Sequence, residues 1–236
     1  MVERHARSAV APSAYVFPGG TVREDDLFLK LVDAAALAKT LSSRGDAAVS
    51  AQEASSLYVC AIRELFEEAG VFLVRDAEGA LLHVAQAETS LQERLESTRL
   101  ALQSGDFTIA QVLDENGWRP AFDCLVPFSQ WITPRAVAAR FDTRFFVAEL
   151  PLGQSALHDT IETTAGVWLT PSRALEPEFH TVFATAHHLR RLLPFEGVSD
   201  LLAFAREKPI RTVLPELVES GEGRRAVIPP HLNDSW

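Results

Sequence analysis

Three glutamates crowd into the stretch Arg63-Glu64-Leu65-Phe66-Glu67-Glu68-Ala69-Gly70-Val71. On a helix each residue advances about 100°, so with Glu64 at the origin Glu68 falls at roughly +40° and Glu67 at roughly −60°. The three carboxylates then share one face, and Ile62, Leu65, Phe66 and Ala69 occupy the opposite one. Such a helix turns its apolar side to a core and its acidic side to whatever lies across from it. Like charges this close repel unless a cation neutralises them. Hard carboxylate oxygens suit Mg²⁺ or Mn²⁺. Arg63, one turn before Glu67, can pair with it and fix its orientation. Taken alone, Glu-x-x-Glu-Glu is more often a solvated helix face than a metal site. Phe17-Pro18-Gly19-Gly20 upstream adds weight, because a glycine pair after a strand permits close backbone approach and lets the Gly20 carbonyl join a metal shell.

The elements that must position these residues are legible in outline. Ser50 and Glu53 form a capping box that opens a helix running through Ala69, and Gly70 sits where a left-handed cap residue belongs. Ala14–Phe17 reads as a strand entering the Pro18-Gly19-Gly20 turn. Helices are predicted at Leu27–Leu41, Thr89–Leu102, Thr108–Glu115, Phe179–Leu193 and Ser199–Glu207, with a helical turn opened by Pro171. Strands are predicted at Val71–Val74, Phe122–Ile132, Thr143–Leu150, Val167–Leu169, Ile210–Leu214 and Ala226–Ile228. Val2-Glu3-Arg4 reads as the end of a further strand. The irregular interleaving implies an α+β fold, and the absence of a recognisable linker implies a single domain over 1–236.

The chain has 236 residues, 47% hydrophobic and 23% charged, with a net charge of −10. That length supports a sizeable core. The acidic balance argues against duplex DNA or an anionic membrane as partner, since both reward clustered Lys and Arg. An anionic small substrate remains compatible, because a metal ion can bridge acidic protein to phosphate. Cys60 and Cys124 read as buried thiols in a reducing compartment. With no membrane-length apolar run and no signal-peptide pattern, the expected location is cytoplasmic. His180, His187 and His188 lack companion zinc ligands and read as a solvated helix face. Phe141, Phe145 and Phe146 read as core.

Arg63–Val71 resembles the second half of the Nudix box, R-E-U-x-E-E-x-G-U with U apolar, and Phe17–Gly20 resembles its opening. In the ordinary box a Glu follows after five further residues; here that position holds Asp26, a structural or loop-orienting residue. Residues 27–62 then stand where the ordinary box has only a short spacer, so the box is read as interrupted by an insertion. Interrupted boxes occur in relatives of the mammalian peroxisomal Nudix hydrolase that cleaves coenzyme A and acyl-coenzyme A. Those relatives look similar at Ala14–Gly20, Cys60–Val71, Trp131–Pro134, Arg140-Phe141-Asp142-Thr143 with Phe145-Phe146, and Trp168-Leu169-Thr170-Pro171. The coenzyme A signature that precedes the box in such proteins is not recognisable between Met1 and Phe17.

The resemblance implies a Nudix fold, a mixed β-sheet sandwiched between helices, with the insertion at about 27–62 and a helical C-terminal extension at about 177–236. It implies hydrolysis of the pyrophosphate bond of a nucleoside diphosphate linked to another moiety, preferably coenzyme A or acyl-coenzyme A. ADP-ribose, NADH or other nucleotide conjugates are the alternative substrates, and a non-catalytic nucleotide sensor is the alternative class. The expected metal ligands are Glu64, Glu67, Glu68 and the Gly20 carbonyl, for Mg²⁺ or Mn²⁺, with Arg63 orienting. Glu162, with Asp159 behind it, is the candidate general base or extra ligand from outside the box. Arg140 and Arg144 are the candidate phosphate contacts. The inserted segment must bury an apolar helix, either over the substrate groove or in a homodimer contact.

Overall fold

The computed structural model describes residues 1–6, 11–27, 34–84, 89–155, 163–221, 223–233 and 235–236. In chain order the elements are β1 (Val2–Arg4), β2 (Tyr15–Val16), α1 (Ala34–Arg44), α2 (Ala51–Ala69), β3 (Val74–Arg75), α3 (Thr89–Ser104), α4 (Ile109–Asn116) and β4 (Arg119–Pro120). They continue with β5 (Val126–Ile132), β6 (Asp142–Val147), β7 (Thr163–Gly166), α5 (Pro171–Ala174), α6 (Phe183–Leu192), α7 (Val198–Glu207), β8 (Thr212–Val213), β9 (Glu216–Ser220) and β10 (Gly223–Val227). The architecture is α+β. Two compact units assemble from interleaved segments: one from Met1–Val32, Ser55–Cys124 and Glu149–Pro194, the other from Asp33–Ala54, Leu125–Ala148 and Phe195–Trp236. No helix of the described residues is long and apolar enough to cross a membrane.

In the first unit β1 is the middle strand of an antiparallel sheet ordered β2-β1-β7. Helix α2, whose first turn falls in the second unit's segment Asp33–Ala54, begins where the Ser50 hydroxyl accepts the Glu53 N–H at 3.1 Å, the predicted N-cap. It ends at Gly70, whose φ of +68° is the left-handed conformation that glycine adopts without steric cost. Its apolar face buries Ala54, Tyr58, Val59, Ile62, Phe66 and Ala69. Phe66 stacks on Phe72 with ring centroids 4.1 Å apart, and the Trp118 ring meets Phe72 edge-on at 5.7 Å. Burial of aromatic side chains of this size stabilises the packing by about 1.5–3 kcal/mol each. Helix α4 carries a reciprocal capping box between Thr108 and Gln111, and ends at Gly117 with φ +64°.

Several boundaries differ from the sequence expectation, each for a local reason. Only Val74 of the predicted Val71–Val74 strand pairs in a sheet, although all four residues are buried. The Gln154 carboxamide substitutes for a neighbouring strand: it accepts the Phe72 N–H at 2.9 Å and donates to the carbonyls of Phe72 and Leu82 at 3.0 and 2.8 Å. Strand β7 lies at Thr163–Gly166 rather than Val167–Leu169, and beyond it the Val167 N–H donates to the Met1 carbonyl at 2.9 Å. Phe122–Cys124 forms a 3-10 turn before β5 instead of its first residues. The helix predicted at Leu27–Leu41 is seen as α1 from Ala34, and residues 28–33 lie outside the described residues.

The second unit centres on β5, buried along nearly its whole length and flanked by antiparallel β6 and parallel β8. The Lys208 ammonium donates to the Phe128 carbonyl at 2.6 Å and stands 4.8 Å over the Phe128 ring. Arg44, the last residue of α1, donates to the carbonyls of Pro127, Ala205 and Lys208. Strands β9 and β10 form a hairpin, so the region after α7 is largely β rather than helical.

Candidate active site

The chain between β2 and Leu27 is laid against the acidic face of α2, and Arg63 holds the two together. Its side chain is fully buried. Arg63 Nε donates to Asp26 Oδ1 at 2.9 Å and Nη2 to Asp26 Oδ2 at 2.8 Å, while Nη2 also reaches the Thr21 carbonyl at 3.0 Å. Nη1 donates to Glu64 Oε1 at 2.7 Å and to Glu67 Oε2 at 3.3 Å. Burial by itself would lower the Arg63 pKa, but the Asp26 hydrogen bond and the Glu64 and Asp26 charges outweigh it and raise the value. Asp26, in the position the ordinary box gives to Glu, is wholly buried and also accepts the Arg23 N–H at 2.8 Å. It is the loop-orienting residue the sequence suggested.

The glycine pair meets two of the three glutamates. The Gly19 N–H donates to Glu68 Oε2 at 2.9 Å. At Gly20 a Cβ would lie 2.4 Å from Glu64 Oε1, a separation no side chain tolerates, so glycine is what lets this carboxylate sit there. Glu67 points to a third place. Arg23 holds it in a two-pronged pair, Nη1 to Oε1 and Nη2 to Oε2, both at 2.8 Å. Among the described residues, Asp26, Glu64 and Glu67 thus share two guanidinium groups. Glu64, Glu67 and Glu68 are each less than a tenth exposed. Burial raises the Glu67 pKa, and Glu64 adds to the rise, more than Arg63 and Arg23 lower it.

The far end of α2 is held from α3. Arg99 Nε donates to the Glu67 carbonyl at 2.9 Å and Nη2 to the Glu68 carbonyl at 3.5 Å, and Gln103 Nε2 donates to the Glu67 carbonyl at 2.7 Å. These donors take up carbonyls that the helix end leaves without intrahelical partners.

Sequence reasoning brought Gly20, Arg63, Glu64, Glu67 and Glu68 to one place, and the structure places them there. Glu162 and Asp159 lie outside the described residues. Arg140 and Arg144 belong to the second unit: Arg140 Nε donates to the Thr133 carbonyl at 3.4 Å, and Arg144 Nε stands 3.8 Å from Asp142 Oδ1. Arg23, Arg99 and Gln103 were missed. Arg23 had one available signal, its place between Gly20 and Asp26; for Arg99 and Gln103 the one-turn spacing on α3 was the only hint.

A glycine-rich loop against an acidic helix, on an α+β scaffold, is the loop–helix arrangement of the Nudix fold. The chain belongs to the NUDT19 Nudix domain family, whose model matches residues 42–182. It is 27% identical to the acyl-coenzyme A diphosphatase NUDT19 of Xenopus laevis over 86% of this chain and 62% of that protein. To the protein of the same name from Gallus gallus it is 26% identical, over 97% of this chain and 70% of that one. For the Homo sapiens protein the values are 28%, over 72% of this chain and 48% of that one. The chain thus spans about three fifths of the frog relative and half of the human one. A crystal structure of a NUDIX hydrolase from Alicyclobacillus acidocaldarius superposes with a TM-score of 0.63 at 25% identity, covering 86% of each chain.

Proposed function

We propose that this chain is a Mg²⁺- or Mn²⁺-dependent pyrophosphohydrolase acting on coenzyme A or acyl-coenzyme A. One observation carries the reading: two buried carboxylates of α2, Glu64 and Glu68, are both brought against the Gly19-Gly20 backbone. Hard oxygen donors gathered away from water are suited to a small divalent cation. Among the described residues no three acidic, His or Cys side chains already converge as a ready ligand group. Glu67 accounts for this, since it is turned into Arg23. The donor chemistry therefore fits a cation held by Glu64 and Glu68 with the Gly20 carbonyl, and Glu67 joins as ligand to a second ion or as the group that holds water.

What such an ion supplies when bound is neutralisation of the diphosphate charge that otherwise repels an attacking oxygen. The rest falls to side chains of the chain. Arg63 keeps Glu64 and Glu67 in fixed orientations and locks the loop through Asp26. Glu162, from outside the box, is assigned the proton from the attacking water or a further ligand position. The name shared by the three relatives, acyl-coenzyme A diphosphatase, supports coenzyme A conjugates as the substrate class. Both cysteines are free thiols, which suits a reducing compartment such as the cytoplasm.

The test has two arms. Glu68→Gln is expected to stay folded while Mg²⁺-dependent turnover falls about a hundredfold, the scale of losing one preorganised charged group; unchanged hydrolysis would remove the site assignment. Products are then resolved after incubating coenzyme A, acetyl-coenzyme A, ADP-ribose and NADH with Mg²⁺ or Mn²⁺. Cleavage of coenzyme A to adenosine 3′,5′-bisphosphate and 4′-phosphopantetheine is expected. Turnover of ADP-ribose without coenzyme A would overturn the substrate preference, and tight nucleotide binding without any cleavage would make the chain a sensor.

A further inference from the structure

We propose that Arg23 is a positioning residue that holds Glu67 away from the cation site and competes with the cation for that carboxylate. The proposal rests on the reading of Glu67 as a metal ligand or water-holding group.

Among the described residues two arginines contact the Glu67 carboxylate, and they are not equivalent. Arg63 is fully buried and its donors are committed to Asp26, Glu64 and the Thr21 carbonyl as well as to Glu67. Moving it would strand a charge inside the protein. Arg23 is different: its side chain is 36% exposed, and besides Glu67 its guanidinium reaches the Leu102 carbonyl at 3.4 Å. It can return to water at little cost. While paired, it presents one N–H to each Glu67 oxygen, both at 2.8 Å. A carboxylate accepts through a small number of lone-pair directions, and this two-pronged geometry fills the inward-facing one on both oxygens. A cation reaching for the same carboxylate meets a group already satisfied.

The loop that carries Arg23 is itself fixed, because the Arg23 N–H is tied to Asp26 and Asp26 to Arg63. Rotation of the Arg23 side chain therefore frees Glu67 from the two-pronged pair and leaves it the single 3.3 Å contact to Arg63. The backbone around Gly20 and the orientation of Glu64 are left as they are. The pair offsets the buried charge of Glu67 and makes a metal ion's use of that carboxylate conditional on displacing a cation already present.

The experiment is an Mn²⁺ titration of the full chain, read as free Mn²⁺ by electron paramagnetic resonance, with Arg23→Gln, Glu67→Gln and the double variant beside the unaltered protein. Arg23→Gln is expected to tighten Mn²⁺ binding about tenfold, the scale of one lost charge-assisted pair, and Glu67→Gln to weaken it by a similar factor. In the Glu67→Gln background, Arg23→Gln is expected to change binding by no more than about twofold, because no carboxylate is left to release. Arg23→Lys keeps the charge but not the fork; it should bind Mn²⁺ more tightly than the unaltered protein, and it serves in place of Arg23→Gln if that variant does not fold. Equal tightening in both backgrounds would mean that Arg23 acts only as a nearby charge, which overturns the proposal. So would unaltered or weaker Mn²⁺ binding in both Arg23→Gln and Arg23→Lys while Glu67→Gln still weakens it. Mn²⁺ binding unaffected by Glu67→Gln would instead overturn the reading of Glu67 on which the proposal stands.

Discussion

Gly20 is the residue whose side chain matters by being missing. Its backbone lies outside the left-handed region, so alanine could adopt the conformation, but the new methyl carbon would stand 2.4 Å from Glu64 Oε1. The atom in the way is the end of a flexible side chain, and a glutamate end can move. Gly20→Ala is therefore expected to fold with a stability change within about 1 kcal/mol. Its turnover should drop about a hundredfold, because a displacement of this size in a positioned group is enough to do so. Thermal melting and kcat measured on the same preparation check both halves; full activity would show that the seat of Glu64 is not needed. The cysteines behave in the opposite way. Burial pushes the Cys60 thiol up to about 12, which suits a small apolar side chain rather than a nucleophile, and it also raises the half-buried Cys124.

At the scale of elements, strand β8, already paired with β5, is further tied down by one carboxylate. Asp46 accepts the Thr212 N–H at 2.7 Å and an Arg211 N–H at 2.8 Å. Burial by itself would raise its pKa; the Thr212 backbone hydrogen bond and Arg211 outweigh it and lower the value. A carboxyl whose folded pKa lies below its unfolded one contributes stability above the ordinary carboxylate range and loses it as pH falls through the lowered value. Asp46→Asn should therefore melt below the unaltered protein at neutral pH, with the gap closing on acidification. A gap independent of pH would mean that the charge on Asp46 plays no part. The same scale shows what the sequence could carry. Helix α2 and its carboxylate face were legible because Ser50, the apolar period and Gly70 are all local signals. The Val71–Val74 segment misled because Gln154, a side chain distant in sequence, does the work of a strand. Hairpin β9–β10 was half missed, although Gly221 and Gly223 mark its turn, because its residues alternate weakly between apolar and charged. The pairing of Arg23 was missed for a third reason: its place between Gly20 and Asp26 puts it near the box, but nothing in a sequence says which carboxylate a loop arginine will choose.

At the scale of the molecule, each unit draws on three separated stretches of chain, so neither can be trimmed by simple truncation. Within the second unit, ending the chain after Pro194 would strip β5 of its parallel partner β8 and remove Lys208 from the Phe128 ring. That variant should lose cooperative thermal unfolding and aggregate, since buried apolar faces and a bare strand edge become exposed; a soluble protein with a sharp melting transition would contradict this. The first unit has its own long closure. Strand β1 sits between β2 and β7, and the Met1 amino group donates to the Val167 carbonyl across a separation of 166 positions. Contacts this distant in sequence form slowly. On a ribosome adding about 5–20 residues per second, the opening strand is exposed for roughly 10–30 s before its far partner exists. Until Thr163–Gly166 is made, β1 has only β2 beside it, and for that interval its open edge is a natural target for chaperones.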